Sequence, residues 1–202
     1  MKKRMAAMEE LLSALRSYAL AHNVPVMEDD ALAFLTDYFA ANGIKSLLEV
    51  GTAIGYSAIA LANATADLQI LSLEIDPERY EMARQNVERA GLSKRISLVN
   101  CDARKYECCQ QFDAILLDGP KAHNRELLQR FEGCLKKDGH LIIDDVRFHG
   151  FIDNPEVIRT RRLKTLVRKF SEFLNWLKNS EEYECTELPI GDGLLIARKK
   201  EN

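Results

Sequence analysis

Leu48-Glu49-Val50-Gly51-Thr52-Ala53-Ile54-Gly55-Tyr56-Ser57 reads as a buried strand, a glycine turn and a helix start. In a doubly wound α/β domain that junction is where a nucleotide-like cofactor sits. The spacing E-x-G-x-x-x-G lacks the close first glycine pair of G-x-G-x-x-G, so a pyrophosphate is not the expected ligand and a nicotinamide-dependent dehydrogenase is a weak reading. Glu74 follows a second apolar stretch, Leu68 to Leu73, with a carboxylate suited to accept hydrogen bonds from both hydroxyls of a ribose. Together these features predict an adenosine cofactor without phosphates.

Outward from this junction the chain alternates. Strands are predicted to Val50, over Leu68 to Leu73, Ile96 to Val99, Phe112 to Leu117 and His140 to Ile143. Helices are predicted from Gly55, over Pro77 to Ala90 and over Ala122 to Leu135. Such alternation makes a parallel sheet with helices on both faces. Asp76-Pro77-Glu78 opens one helix with a capping carboxylate and a first-turn proline, and Ala90-Gly91 closes it. Two helices lead the chain, Met5 to Ala21 and Asp29 to Ala41, the second stopped by Asn42-Gly43. A long helix near Ile158 to Lys178 and two strands, Tyr183 to Leu188 and Gly193 to Arg198, finish it. Pro189-Ile190-Gly191-Asp192 between those strands signals a hairpin, so an antiparallel pair closes the sheet.

With 202 residues and 47% hydrophobic content, one α/β domain is expected over residues 1–202. In that reading residues 1–43 are leading helices that cover the site or a dimer interface, and 44–202 form the cofactor-binding core. No apolar run approaches the roughly 18 to 20 residues that span a bilayer, and Met1-Lys2-Lys3-Arg4 leads into an acid-containing segment unlike a signal peptide. A soluble, cytoplasmic protein without membrane attachment is expected. Five cysteines without a C-x-x-C motif fit reduced, structural thiols better than a disulfide framework. The net charge of -3 says little, but Arg159 to Lys169 carries six Lys or Arg and no acid.

Four acidic segments fall at or just beyond predicted strand ends: Glu49, Glu74, Asp118 with Lys121, and Asp144-Asp145. In an open α/β sheet those ends face one crevice. A single acid after a strand is commonly a helix cap or a solvated turn, but four on one edge favour a shared site. Asp118, Asp144 and Asp145 offer three oxygen ligands to a hard divalent cation, Mg²⁺ or Mn²⁺. Three close carboxylates repel one another unless a cation lies among them. The alternative is that Asp144 caps the next segment and Asp145 faces solvent. The four histidines show no zinc spacing.

Six segments then carry a resemblance: L-L-E-V-G-T-A-I-G-Y-S, L-E-I-D-P-E-R, C-D-A, L-L-D-G-P-K, I-I-D-D-V and L-P-I-G-D-G-L. In this order and spacing the chain, from Met27 through Lys199, resembles the cation-dependent O-methyltransferases, the catechol and caffeoyl-coenzyme A methyltransferases and their small bacterial relatives. The resemblance implies a Rossmann-like, doubly wound seven-stranded sheet with a reversed last hairpin, the class I methyltransferase fold. It also implies S-adenosylmethionine as methyl donor and a Mg²⁺-type ion. Carried over by position, it implies that Glu49, Gly51 and Ser57 hold the methionine end of the cofactor, with Gly51 and Gly55 letting the backbone approach it and Ala53 in the same cofactor-binding turn. Glu74 matches the ribose-binding acid, and Asp102 with Ala103 the segment beside the adenine. Asp118 matches the acid that touches both cofactor and metal, Asp144 and Asp145 the other metal positions, and Lys121 the catalytic lysine. Two positions depart from the family: Asp145 stands where Asn is usual, and Gly119-Pro120 replaces the commoner pair before the lysine.

The implied reaction is in-line displacement at the methyl of S-adenosylmethionine by a substrate oxygen, with Lys121 as general base. Catechols and 5-hydroxyuracil share neighbouring oxygens able to chelate a cation. The basic run Arg159, Arg161, Arg162, Lys164, Arg168 and Lys169 suits phosphate contacts, though it also fits an ordinary solvated helix face. Asp145-Val146-Arg147-Phe148-His149-Gly150 looks like the transfer-RNA wobble 5-hydroxyuridine methyltransferases of this family. Transfer RNA is therefore the expected partner and a small catechol-like metabolite the alternative. Phe148 or Tyr56 is suited to stack on a base or to pack in the core. Family resemblance and the leading helices suggest a homodimer; a cofactor-binding protein without catalysis is the competing reading from another class.

Overall fold

A computed structural model describes residues 2–200; Met1, Glu201 and Asn202 lie outside the described residues. The chain divides into two compact units, Met1–Lys105 and Tyr106–Asn202. The first holds α1 (Lys2–His22), α2 (Asp29–Ala41), β1 (Ser46–Val50), α3 (Tyr56–Ala64), β2 (Gln69–Glu74), α4 (Pro77–Arg89) and β3 (Ile96–Asn100). The second holds β4 (Phe112–Leu117), α5 (Asn124–Phe131), β5 (Leu135–Ile143), α6 (Arg161–Lys178), β6 (Tyr183–Leu188) and β7 (Leu194–Lys199). The strands form a seven-stranded sheet in the order β3-β2-β1-β4-β5-β7-β6. This is the α/β class I methyltransferase architecture expected from the sequence. No helix among the described residues is long and apolar enough to cross a membrane.

In the first unit β2 pairs in parallel with β1 and β3, with Glu49 opposite Ser72 and Glu74 opposite Asn100. Leu47, Leu48, Ile59 and Leu61 are completely buried, and each contributes about 1.5–3 kcal/mol relative to exposure. Burial on both faces of β1 is why, after the half-buried Ser46, its sequence is an apolar run broken only by Glu49. Helix α4 starts where expected: the Asp76 side chain accepts from the N–H groups of Glu78 and Arg79, and Pro77 supplies the first turn.

In the second unit β4 and β5 are parallel, and β7 runs antiparallel to both β5 and β6. The final hairpin is as read from the sequence. Helix α6 buries Val167, Phe170, Phe173, Leu174 and Leu177, the apolar stripe of an amphipathic helix.

The helix expected over Ala122 to Leu135 is broken. A 3-10 turn at Lys121–His123 precedes α5, and a second at Glu132–Cys134, containing Gly133, ends it. Strand β5 begins at Leu135, before the expected His140. Its first half pairs irregularly with β4, the register shifting between Phe112 and Ala114.

Candidate active site

In the first unit the site is built on Glu49, which is completely buried near the end of β1. Ser57 Oγ donates to Glu49 Oε1 at 2.6 Å, and Ser72 Oγ donates to Oε2. Because Ser72 gives its only proton to Glu49, Thr52 is the donor in the Thr52–Ser72 hydroxyl contact. Burial pushes the Glu49 carboxyl above its ordinary range, opposed by the two serine hydrogen bonds and reinforced by Glu74. A buried carboxylate held this way attracts a cationic group.

The glycine turn wraps over this carboxylate. Gly51, Ala53 and Gly55 adopt φ of 107°, 47° and 85°, a left-handed alternation that costs about 1–3 kcal/mol at the non-glycine Ala53. The turn is fastened by Ala53 N, which donates to Glu74 Oε2 at 2.8 Å, and by Gly51 N, which donates to Leu73 O at 3.0 Å. A Cβ on Gly55 would sit 3.4 Å from Ala83 of α4. Gly55 also stands at the N-cap of α3, where no side chain caps the helix although its first residues, Tyr56 and Ser57, are buried. A buried, uncapped helix N-terminus is a ready carboxylate site.

Glu74 ends β2 with Oε1 accepting from Asp76 N at 2.9 Å and Oε2 from Ala53 N. Each oxygen keeps a second lone pair for a hydroxyl. Asp102 is differently engaged: Arg104 donates to it from N, Nε and a terminal nitrogen at 3.0, 3.0 and 2.7 Å. Those bonds hold the Asp102 carboxyl down at about 2. Ala103 opens the 3-10 turn that follows.

The second unit gathers the other predicted residues. Asp118, Asp144 and Asp145 each present an oxygen, all within 4.8 Å of one another. An octahedral ion with Mg²⁺-type bonds sets ligand oxygens about 3 to 4.2 Å apart, so small side-chain rotations make these three a fitting donor set. Asp144 is buried, and Asp145 holds a left-handed φ of 52°, a conformation aspartate tolerates better than most residues. Lys121 leads the 3-10 turn after Pro120, is buried, and donates from Nζ to Asp144 O at 2.7 Å, with Asp145 Oδ2 at 3.6 Å. The unusual Gly119-Pro120 pair thus leaves the lysine directed at the acidic cluster.

Beyond Asp145 the six basic residues from Arg159 to Lys169 are all exposed, and Arg168 pairs with Glu172 at 2.6 Å. Phe148 is half-buried, packed edge-on against Phe151 and Phe170 at centroid distances of 6.1 and 6.3 Å. Tyr56 belongs to the interior: its hydroxyl donates to Asp29 at 2.7 Å, and burial together with that carboxylate pushes it up to about 12. Packing, not base stacking, is its role.

Sequence reasoning missed three partners. Ser72 is a polar residue in the otherwise apolar run Ile70 to Leu73, a signal that was there to read. Asn86 of α4 donates to Ile54 O at 2.9 Å and pins the turn from behind, and Asp192 accepts from His149 N. No local pattern marks Asn86, and the sequence marks Asp192 only as part of the hairpin turn and the L-P-I-G-D-G-L segment, not as a partner of His149.

Together, this sheet order and a carboxylate-seated glycine turn after β1 define a class I methyltransferase. The sequence pattern described as O-methyltransferase matches residues 2–200, and the chain belongs to that family, whose members move the methyl group of S-adenosylmethionine to an oxygen. It is 26% identical to caffeoyl-CoA O-methyltransferase 1 of Zea mays over 202 residues, spanning 94% of this chain and 78% of that one. A Staphylococcus aureus structure provisionally named a caffeoyl-CoA O-methyltransferase superposes with a TM-score of 0.88 at 27% identity, covering 93% of this chain and 91% of that one. The SAH-bound methyltransferase PaMTH1 of Podospora anserina superposes with a TM-score of 0.82 at 21% identity, covering 96% and 88%, and shares the fold.

Proposed function

We propose that this enzyme is a divalent-cation-dependent O-methyltransferase that acts on the 5-hydroxyl of wobble 5-hydroxyuridine in transfer RNA. The observation carrying the cation and the proton transfer is the gathering of Asp118, Asp144 and Asp145 with Lys121 bonded to the main chain among them. Glu49 and Ser57 hold the ammonium end of the S-adenosylmethionine donor, the α3 N-terminus its carboxylate and Glu74 its ribose. Asp118, Asp144 and Asp145 would hold the ion, which would supply Lewis acidity to the acceptor hydroxyl. The acceptor oxygen bonds to the methyl carbon as the carbon–sulfur bond breaks, and Lys121 takes the hydroxyl proton as general base. S-adenosylhomocysteine and the methyl ether leave.

The nucleic-acid acceptor is supported by the first turn of α6, which carries Arg161, Arg162 and Lys164 and no acid. Cations at a helix N-terminus oppose the macrodipole, each by about 0.3–1 kcal/mol. Their placement makes sense when phosphates face them. A small catechol-like acceptor is the second reading, favoured by the caffeoyl-CoA O-methyltransferases among the relatives. A cytoplasmic homodimer accords with either.

Methyl transfer from labelled S-adenosylmethionine to transfer RNA lacking the modification, run beside a catechol panel, separates the two. Label on one wobble nucleoside supports the first reading. Label on catechols alone overturns it, and undiminished activity after thorough chelation overturns the cation.

A further inference from the structure

The stretch Leu188 to Leu194, L-P-I-G-D-G-L, forms the turn between β6 and β7 and has no part in the chemistry above. It grips the loop that follows the acidic pair. Val146 N donates to Gly193 O and Arg147 N to Asp192 O, both at 2.9 Å. The Asp192 carboxylate reaches further along the same loop, where Oδ2 accepts from His149 N and lies 3.6 Å from His149 Nδ1. Gly193, at φ 87°, is pressed so close that a Cβ there would sit 2.9 Å from side-chain carbons of Val146 and Arg147.

The gripped loop is an unusual one. Asp145, Phe148, His149 and Gly150 all hold positive φ, at 52°, 50°, 56° and 76°. Left-handed backbone at three non-glycine residues persists only where the surroundings over-determine it. Within the loop, Phe148 N donates to Asp145 O at 3.1 Å, so the conformation at Phe148 and His149 is tied to that at Asp145. Asp192 supplies the outside anchor for His149. It is not one of the carboxylates that gather at the cation site, which among the described residues are Asp118, Asp144 and Asp145.

We propose that Asp192 is a positioning residue for the cation site, holding the 145–150 loop in the conformation that presents Asp145. This rests on the cation reading given above. Its action runs through the loop: the carboxylate fixes His149 N, and the two main-chain bonds beside it fix Val146 and Arg147, leaving Asp145 one backbone orientation. An acceptor atom at this position is what matters, and the negative charge is incidental.

The test is a Mn²⁺ titration of the full chain followed by electron paramagnetic resonance, on wild type, Asp192→Ala and Asp192→Asn. Calorimetric titration with S-adenosylhomocysteine accompanies each. Asp192→Ala should weaken Mn²⁺ binding by roughly ten-fold or more, the scale on which residues behind metal ligands act. Asp192→Asn, whose amide oxygen still accepts from His149 N, should restore most of that affinity, and S-adenosylhomocysteine affinity should be the same in all three. Wild-type Mn²⁺ affinity in Asp192→Ala overturns the proposal, as does a loss in Asp192→Asn equal to that in Asp192→Ala. A wild-type chain that binds no Mn²⁺ overturns the cation reading itself and the positioning role with it.

Discussion

Lys121 donates from Nζ to the main-chain carbonyl of Asp144 at 2.7 Å, while the nearest Asp145 carboxylate oxygen stands at 3.6 Å. The lysine is therefore hydrogen-bonded to backbone, and its contact with the Asp145 side chain is the longer ion pair. A carbonyl only accepts hydrogen bonds. Lys121 can keep one N–H on this carbonyl and still face an acceptor hydroxyl.

That geometry separates base from anchor. Lys121→Ala should lower kcat by about 10²–10⁴-fold, the usual worth of a positioned general base, with S-adenosylmethionine affinity unchanged. Lys121→Arg keeps a donor for Asp144 O but cannot take up a proton, so its kcat should fall close to that of the alanine variant. Near wild-type turnover in Lys121→Arg, measured under saturating substrates, would assign the lysine to structure alone.

In the proposed function Glu49 sets cofactor binding against stability. Burial raises its folded-state pKa above the unfolded value, so the folded state binds the extra proton. The stability this group contributes is full below the unfolded pKa and is lost as pH rises through the raised folded pKa. In cofactor-free protein near neutral pH the carboxylate is thus a standing cost, and Glu49→Gln should melt higher there and lose the part of the pH dependence that lies between those two values. The same variant should gain less from added S-adenosylmethionine, because a neutral amide attracts the donor's ammonium weakly. Thermal melts across pH, with and without cofactor, check both; a lower melting point for the free Glu49→Gln protein at neutral pH would contradict the first.

Much of this arrangement could be read directly from the sequence, and the limits have physical causes. The ranges of β4 and β6 match their predicted ranges because each is a short apolar or alternating run bounded by breakers. The Glu49 to Ser57 turn was legible because only glycines tolerate two of its φ values freely. The end of α5 is hidden in the sequence because Leu127, Leu128, Phe131 and Leu135 keep helical spacing through Gly133, so periodicity masks the break. Strand β5 starts early because Leu135 pairs with Phe112 of β4, and Lys136-Lys137-Asp138-Gly139, which carries no strand pattern, spans the register shift before His140. Ser72 with Glu49 and Asp192 with His149 are 23 and 43 residues apart, and only the folded chain brings such pairs together.

Asp145 brings a third carboxylate to the cluster with Asp118 and Asp144, at the position where the resemblance implies an amide. Asn tolerates left-handed φ as well as Asp does, so Asp145→Asn should fold normally, bind Mn²⁺ more weakly for want of one charge, and still transfer methyl groups. Asp145→Ala loses the oxygen and disfavours the φ of 52°, so its Mn²⁺ affinity should fall further. Equal affinity across the three proteins in a Mn²⁺ titration would remove Asp145 from the ligand set.

The first turn of α6 gives a test in which stability and function move in opposite directions. Replacing Arg161, Arg162 and Lys164 by Glu puts acids where the helix dipole favours them, beside the Thr160 hydroxyl that caps Leu163 N. The triple variant should gain about 0.3–1 kcal/mol per site at low salt and melt a few degrees higher. If these side chains meet phosphates, its affinity for transfer RNA should fall sharply. The slope of log affinity against log salt should then shrink by about 0.7–0.9 for each phosphate that the protein no longer neutralises. Turnover with a small catechol, which carries no phosphate, should be untouched. A variant that melts higher yet methylates transfer RNA as well as the wild type would mark the basic turn as solvated surface and leave the catechol-like acceptor as the better reading.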